Sequence, residues 1–255
     1  MESVPDKPPL LLPESSEQPS LSVVIPAFNE AARILNTLTR IHEYLLGSGW
    51  RFELVIIDDG SRDDTVSIVR DFARHNRNVR LIINPRNRGK GFAVRQGMLV
   101  AAGDLMLMCD ADLSTPIEQI EQLLPWTQRG CHVVIGSRDL PDSRLDPPQP
   151  ARRRRLAAIF RTLRRLLLLP ELRDTQCGFK LFRHDAARAI FSRQRCNGWL
   201  FDCEVLGLAD RLGFRIQEVG VHWQDNADSS VRLLPAALAA LPTLLLIRLR
   251  LLKVR

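Results

Sequence analysis

Two hydrophobic rhythms alternate along the chain. Short unbroken apolar runs, LSVVIPA (Leu21–Ala27), ELVIID (Glu53–Asp58), VRLII (Val79–Ile83), LMLMC (Leu105–Cys109) and CHVVIG (Cys131–Gly136), read as buried strands. Between them apolar residues recur every three or four positions. Asn29–Leu46 carries Ile34, Leu38, Ile41 and Leu45 on one stripe, and Arg62–His75 carries Val66, Val69 and Phe72. Further helices are expected from about Phe92 to Ala102 and over Ile117–Gln128. Strands that are apolar throughout, alternating with helices, predict an α/β fold with a parallel sheet covered on both faces. Beyond Arg138 the pattern loosens. Pro141–Pro150 reads as a loop, Ala151–Leu169 as a helix, Arg173–Phe182 as a turn leading to a helix from about His184, and FRIQEVGVHW (Phe214–Trp223) as a last strand.

Ligands of such sheets bind beyond the carboxyl ends of the strands. That edge should collect Pro26, Ala27, Asn29 and Glu30 after the first strand and Asp58 and Asp59 after the second. It should also hold Arg88–Gly91 after the third and Asp110, Ala111 and Asp112 after the fourth. Asp110 and Asp112 stand two apart, so an extended backbone would aim both carboxylates at one site. Hard oxygens of this kind suit Mg²⁺ or Mn²⁺ completed by substrate phosphates. The same residues also fit a polar strand end before a helix, with Ser114 or Thr115 as N-cap and Pro116 at the first helical position. Lys90, between Gly89 and Gly91, stands where a backbone can come close to a phosphate. Asp58 and Asp59 can accept from base or ribose groups. The set describes a nucleotide-diphosphate site. It is not a dinucleotide fingerprint, because GKG lacks the final glycine and follows the third strand.

Charge sharpens the second half. The 255 residues carry a formal net charge of +7, and Arg138–Arg173 holds ten arginines against Asp139, Asp142, Asp146 and Glu171. Such a patch implies an anionic partner: phosphate, nucleic acid or a membrane surface. Nucleic acid gives no reason for acidic strand ends, so no nucleic-acid partner is expected. In ARRRRLAAIFRTLRRLLLL the basic residues, Arg152, Arg153 and Arg155 among them, could grip an acceptor phosphate while the leucines face a lipid tail. The segment Arg232–Arg255 is apolar with basic residues towards its end, and Leu233–Ile247 is short for a span of about 20 residues. It reads as an amphipathic anchor on an anionic leaflet or as a helix packed on the domain. Residues 1–20 are Pro- and Ser-rich, without the basic start and apolar run of a signal peptide, and read as a disordered tail. Five scattered cysteines without a CxxC pair fit a reducing compartment.

VVIPAFNE, VIIDDGSRDDT, NRGKGFAVRQGM, DADLSTP and VIGSR, in this order, resemble the nucleotide-sugar half of family 2 glycosyltransferases with the GT-A fold. RDTQCGFKLF (Arg173–Phe182) and GWLFDCEVL (Gly198–Leu206) are similar to one branch, the dolichyl-phosphate β-glucosyltransferases. The resemblance implies a nucleotide-sugar half over 21–138 and an acceptor half over 139–231. It implies a metal-dependent, inverting transfer of glucose from UDP-glucose to a polyprenyl phosphate, and the Arg232–Arg255 segment read as an interfacial anchor makes the enzyme peripheral to the cytosolic face of a membrane. It gives Asp110 and Asp112 the metal and Arg138, with the Arg152–Arg155 cluster, the acceptor phosphate. Gln176 could bond a sugar hydroxyl, and Trp199 could cover a sugar or prenyl unit or belong to the core. Asp202 is a base if the acceptor is a hydroxyl and a positioning residue if it is a phosphate. A GDP-mannose-dependent relative of the same fold is the nearest alternative, and transfer to a hydroxyl acceptor the next.

Overall fold

The computed structural model describes residues 19–146, 161–224 and 233–254, with the side chains of 233–240 left aside. The N-terminal tail over 1–18 and Arg152, Arg153 and Arg155 therefore lie outside the described residues. Strands β1 (Leu21–Ala27), β2 (Phe52–Asp58), β3 (Val79–Ile83), β4 (Leu105–Cys109) and β5 (Val133–Ser137) fall where the apolar runs predict. Helices α1 (Ile34–Gly47), α2 (Thr65–His75), α3 (Lys90–Val100) and α4 (Ile120–Gln128) follow them, α4 after a short 3₁₀ turn at Ile117–Gln119. Then come β6 (Arg144–Asp146), the helical run α5 (161–167), β7 (Phe179–Arg183), α6 (His184–Arg193) and α7 (Phe201–Arg211). Strands β8 (Ile216–Gly220) and β9 (His222–Gln224) and helix α8 (Leu233–Leu251) close the order.

The main sheet has seven strands in the order β3-β2-β1-β4-β7-β5-β8. All pairings are parallel except the two made by β7, which runs antiparallel between β4 and β5. Apolar side chains alternate between two cores. Val24, Val55, Met106 and Val133 face α3, α6, α7 and α8, whereas Val23, Leu54, Leu107 and Val134 face α1, α2 and α4. The result is a three-layer α/β sandwich with a mostly parallel sheet.

Several expectations are corrected. FKLFR is a strand, not part of a turn: Phe179 to Phe182 are all buried, so no polar-apolar alternation marks it, and Lys180 looks like a solvent residue in sequence. The last strand is two. At Gly220, where a Cβ would lie 2.4 Å from Asp142 Oδ1, the chain leaves the main sheet, and β9 pairs with β6 inside the expected loop. Helix α1 starts at Ile34, because Asn29 adopts a left-handed φ of 56° and the residues before it are tied to the neighbouring loop. Helix α3 starts at Lys90, so Gly91 is helical, and its missing side chain makes room for Phe201 Cβ at 2.5 Å. Pro26 falls in β1 beyond the last rung shared with β4, where no N–H is required on that side.

The arginine-rich segment does not face solvent throughout. Arg164 is fully buried, and its guanidinium donates to the carbonyls of Leu169, Leu172 and Arg173 at 3.0, 2.6 and 2.7 Å. It shapes the descent from α5 into the Arg173–Gly178 loop. Arg164→Leu strands three carbonyls in an apolar setting, so we expect a loss on the order of 3 kcal/mol in urea denaturation. Arg165→Leu, one residue along and exposed, should change stability by less than about 0.5 kcal/mol.

Candidate active site at the carboxyl edge of the sheet

The antiparallel insertion assembles the site. Six strands deliver their carboxyl ends to one edge, and β7 delivers its amino end to the same edge, with Phe179 opposite Cys109. The loop Arg173–Gly178 is thereby laid against Asp110. The Asp110 N–H donates to the Gly178 carbonyl at 3.2 Å, and a Cβ on Gly178 would sit 1.9 Å from Asp110 Oδ2. Only a glycine fits there.

Asp110 and Asp112 come together through a turn, not through strand alternation, because β4 ends at Cys109. Asp112 Oδ1 accepts the Ser114 N–H at 2.9 Å. Leu113 between them holds φ at 48°, a conformation that costs a non-glycine residue roughly 1–3 kcal/mol and persists only where its surroundings enforce it. Glu30 shares their field: burial raises its pKa, Arg33 opposes this, and Asp112 and Asp110 add to the rise. Asp110 and Asp112 fit a divalent ion that keeps water and substrate phosphate as its other ligands. Among the described residues no group of three or more Asp, Glu, His or Cys side chains is placed to hold a metal ion.

Lys90 answers these charges. Its ammonium lies 2.7 Å from Asp110 Oδ1. Burial depresses its pKa, but Asp110, Asp202 and Asp112 more than compensate, so the net shift is upward and the ammonium persists. Trp199 is 52% exposed, with Lys90 Nζ 5.5 Å from its ring centre, and so is not a core residue.

The nucleotide-side residues divide by role. Asp58 is buried; its Oδ2 accepts from Gly60 and Ser61 N–H at 3.1 and 3.0 Å, while its Oδ1 has no partner among the described residues. A buried orphan acceptor at this edge is available to a ligand donor. Asp59 is already committed, with Oδ2 accepting from Arg88 and Gly89 N–H and Oδ1 from Asn84. It shapes the loop that presents Lys90. Asn29 Oδ1 accepts the Arg62 N–H, Ser61 accepts the Asn29 N–H, and Thr65 accepts that of Glu30, so the first two loops are stitched together. Ala27 ends β1, and Ala111 is held by Thr37, whose hydroxyl donates to its carbonyl at 2.6 Å.

On the other side of β7, Arg138 is clamped by Asp174, Nε at 2.7 Å and Nη2 at 3.0 Å from its two oxygens. Burial pushes the Asp174 carboxyl up, but Arg138 and backbone donors hold it well below the usual carboxylate range. Two of the three guanidinium nitrogens are thus engaged. Gln176 is half-buried and donates its N–H to Asp174 Oδ1. Asp174 and Lys180 are the residues that sequence reasoning missed, although both stand in RDTQCGFK. Lys180, fully buried, lies 2.6 Å from Asp202 Oδ1 and donates to the Cys177 carbonyl. Burial raises the Asp202 pKa, against the pull of Lys180 and Lys90. A lone cation between GF and LF is the available signal for Lys180.

Removing one member of a buried ion pair strands the other. Lys180→Met should cost about 3–5 kcal/mol in denaturant unfolding, and Lys180→Met with Asp202→Leu should recover most of that loss.

The glycosyl transferase family 2 profile matches residues 22–191. A dolichyl-phosphate beta-glucosyltransferase of Trichomonas vaginalis is 36% identical over 225 residues, 84% of this chain and 68% of that protein. One of Saccharomyces cerevisiae is 34% identical over 253 residues, 92% of this chain and 76% of that protein. The chain spans about two thirds of the length of several such relatives. Among solved structures, glucosyl-3-phosphoglycerate synthase of Mycobacterium tuberculosis, crystallised with Mn²⁺, UDP-glucose and phosphoglyceric acid, superimposes with a TM-score of 0.69. It is 22% identical, with 90% of this chain and 79% of that one covered, and so shares the fold. With the family profile spanning β1 to α6 and two relatives above 30% identity across most of the chain, this protein is a glycosyltransferase and belongs to glycosyl transferase family 2.

Proposed function

We propose that this chain transfers glucose from UDP-glucose to a polyprenyl phosphate of the dolichyl type, with inversion at the anomeric carbon. The observation that carries the reading is the split polarity of the edge. Glu30, Asp58, Asp110 and Asp112 gather on the β1, β2 and β4 side, and arginines gather beyond β7. Arg161, Arg165 and Arg173, with Thr162 and Asp139, line a pocket of about 390 Å³ next in sequence to the Arg138–Asp174 pair. An acid-lined half suits a nucleotide diphosphate that arrives with a cation, and an arginine-lined half suits an anionic acceptor. The names of the similar proteins agree with a dolichyl-phosphate acceptor.

In this reading Asp58 accepts from the base or ribose through its free oxygen, and Asp110 and Asp112 hold Mg²⁺ or Mn²⁺. The metal, when bound, neutralises charge on the departing diphosphate. Lys90 moves its ammonium from Asp110 towards that diphosphate, and Trp199 covers the sugar. Arg138, fixed by Asp174, orients an acceptor phosphate oxygen towards the anomeric carbon; the Arg152–Arg155 cluster shares that task. The new bond joins this oxygen to the carbon as the bond to the diphosphate breaks, and UDP leaves. A phosphate monoester, with a second pKa near ~6, is already ionised, so the reaction needs no general base. Asp202 is therefore a positioning residue: Oδ1 is taken by Lys180, and the carboxylate is buried behind it.

Peripheral attachment to the cytosolic face of a membrane completes the reading. No described helix is long and apolar enough to cross a bilayer, and the five cysteines are free, as in a reducing compartment.

The test is sugar transfer to a short polyprenyl phosphate from UDP-glucose or GDP-mannose, with and without divalent metal. Metal-dependent labelling from UDP-glucose is expected. Asp112→Asn should lower kcat by about 10²–10³-fold, the range seen when one group stabilising developing charge is lost. Labelling only from GDP-mannose would retain the site and replace the donor. Transfer to a hydroxyl acceptor that vanishes in Asp202→Asn would replace the acceptor.

A further inference from the structure

Helix α8 is apolar on more than the side that it buries. Leu244, Ile247 and Leu251 enter the core, with Leu251 closing on α7 where a Cβ on Gly207 would lie 2.4 Å from its Cδ1. The expectation of a packed helix is met on this face. On another face Leu241, Leu245, Leu249 and Leu252 follow at steps of four, four and three, which makes one continuous stripe. These four side chains are 43% to 59% exposed, and Leu246 beside them is 46% exposed. A contiguous apolar stripe of this length on a soluble surface marks an interaction site.

Both flanks of the stripe are cationic. On one, Arg248 donates to the Leu167 carbonyl, which brings the end of α5 alongside α8. There Leu166, 75% exposed, stands next to the exposed Arg165. On the other flank a cavity of about 430 Å³ opens between the segment after α6 and the end of α8. Arg193, Arg195, Arg250 and Lys253 line it, with Glu204 as its one acid. That acid is already used: Oε2 accepts the N–H groups of Arg195 and Cys196, and Oε1 lies 3.6 Å from Arg250. Residues 229–255 contain five basic side chains and no acidic one.

We propose that this surface lies flat on an anionic lipid bilayer, with the leucine stripe at the headgroup–acyl boundary and the cavity taking lipid phosphate. Leucines flanked on both sides by cations are the chemistry that an anionic leaflet recognises, and a 19-residue helix that lies in the plane needs no span. The surface also leads to the active edge. From Leu166 the chain passes through the carbonyls held by Arg164 into the Arg173–Gly178 loop, so a lipid acceptor would enter from the side the membrane occupies. The purpose of the surface rests on the lipid-phosphate reading above; its geometry does not.

Vesicle flotation of the full chain tests it, with phosphatidylcholine alone or mixed with phosphatidylserine. The unmodified protein should float with the mixed vesicles and not with phosphatidylcholine alone. Leu245→Ser with Leu249→Ser should lower partitioning more than about tenfold. Arg195→Gln with Lys253→Gln should lower it roughly fivefold per charge and remove the preference for phosphatidylserine. Both variants should keep the melting temperature and the transfer rate to a water-soluble short-chain polyprenyl phosphate. Equal partitioning of the variants and the unmodified protein would overturn the proposal. So would a dimer in gel filtration that the leucine substitutions disperse while vesicles are not bound, since the stripe would then belong to a second copy. Vesicle binding without transfer to the soluble acceptor would uphold the surface and reject the acceptor reading.

Discussion

The site depends on one close approach: the backbone of Gly178 packed against the carboxylate of Asp110. A side chain there would put a carbon 1.9 Å from Asp110 Oδ2, so the loop before β7 and the turn after β4 meet only because position 178 is bare. The contact exists because β7 runs against its neighbours. Six strands bring carboxyl ends to the active edge, and the single reversed strand brings an amino end, with its preceding loop, to the same place. Asp174, Gln176 and Cys177 thereby join Asp110 and Asp112 although more than sixty residues separate them in sequence.

Three charge pairs then divide the edge: Lys90 with Asp110, Lys180 with Asp202, and Arg138 with Asp174. Pairs removed from water add little net stability over apolar residues of the same size, since desolvation offsets most of their attraction. Their effect here is geometric. Asp174 fixes the plane of the Arg138 guanidinium, and Lys180 engages one oxygen of Asp202. Lys90 keeps Asp110 partly neutralised. Asp59 and Arg164 act one layer further out, holding backbone where these side chains need it.

The two apolar faces of α8 belong to different environments. One is matched to α7 by the space at Gly207, and the other has half-exposed leucines bounded by cations. The link from Arg248 to the Leu167 carbonyl joins this helix to α5 and, through Arg164, to the loop that borders the active edge.

Continuity of apolar runs was enough to determine the parallel strands, because a strand buried on both faces must be apolar at every position. Carboxylates following two of those runs were enough to mark the edge where Asp58, Asp110 and Asp112 stand. Tertiary structure alone decided what depended on distant neighbours. Lys180 looks solvated until Asp202 is brought to it from another element, and so β7 was hidden. Asp59 and Arg164 carry the same charges as the candidate ligand-binding residues, but partners within the chain make them supports. Gly91 reads as a phosphate loop and is a helix packing against α7. A residue's type sets which bonds it can make, and only the fold decides whether a partner from the chain has already taken them.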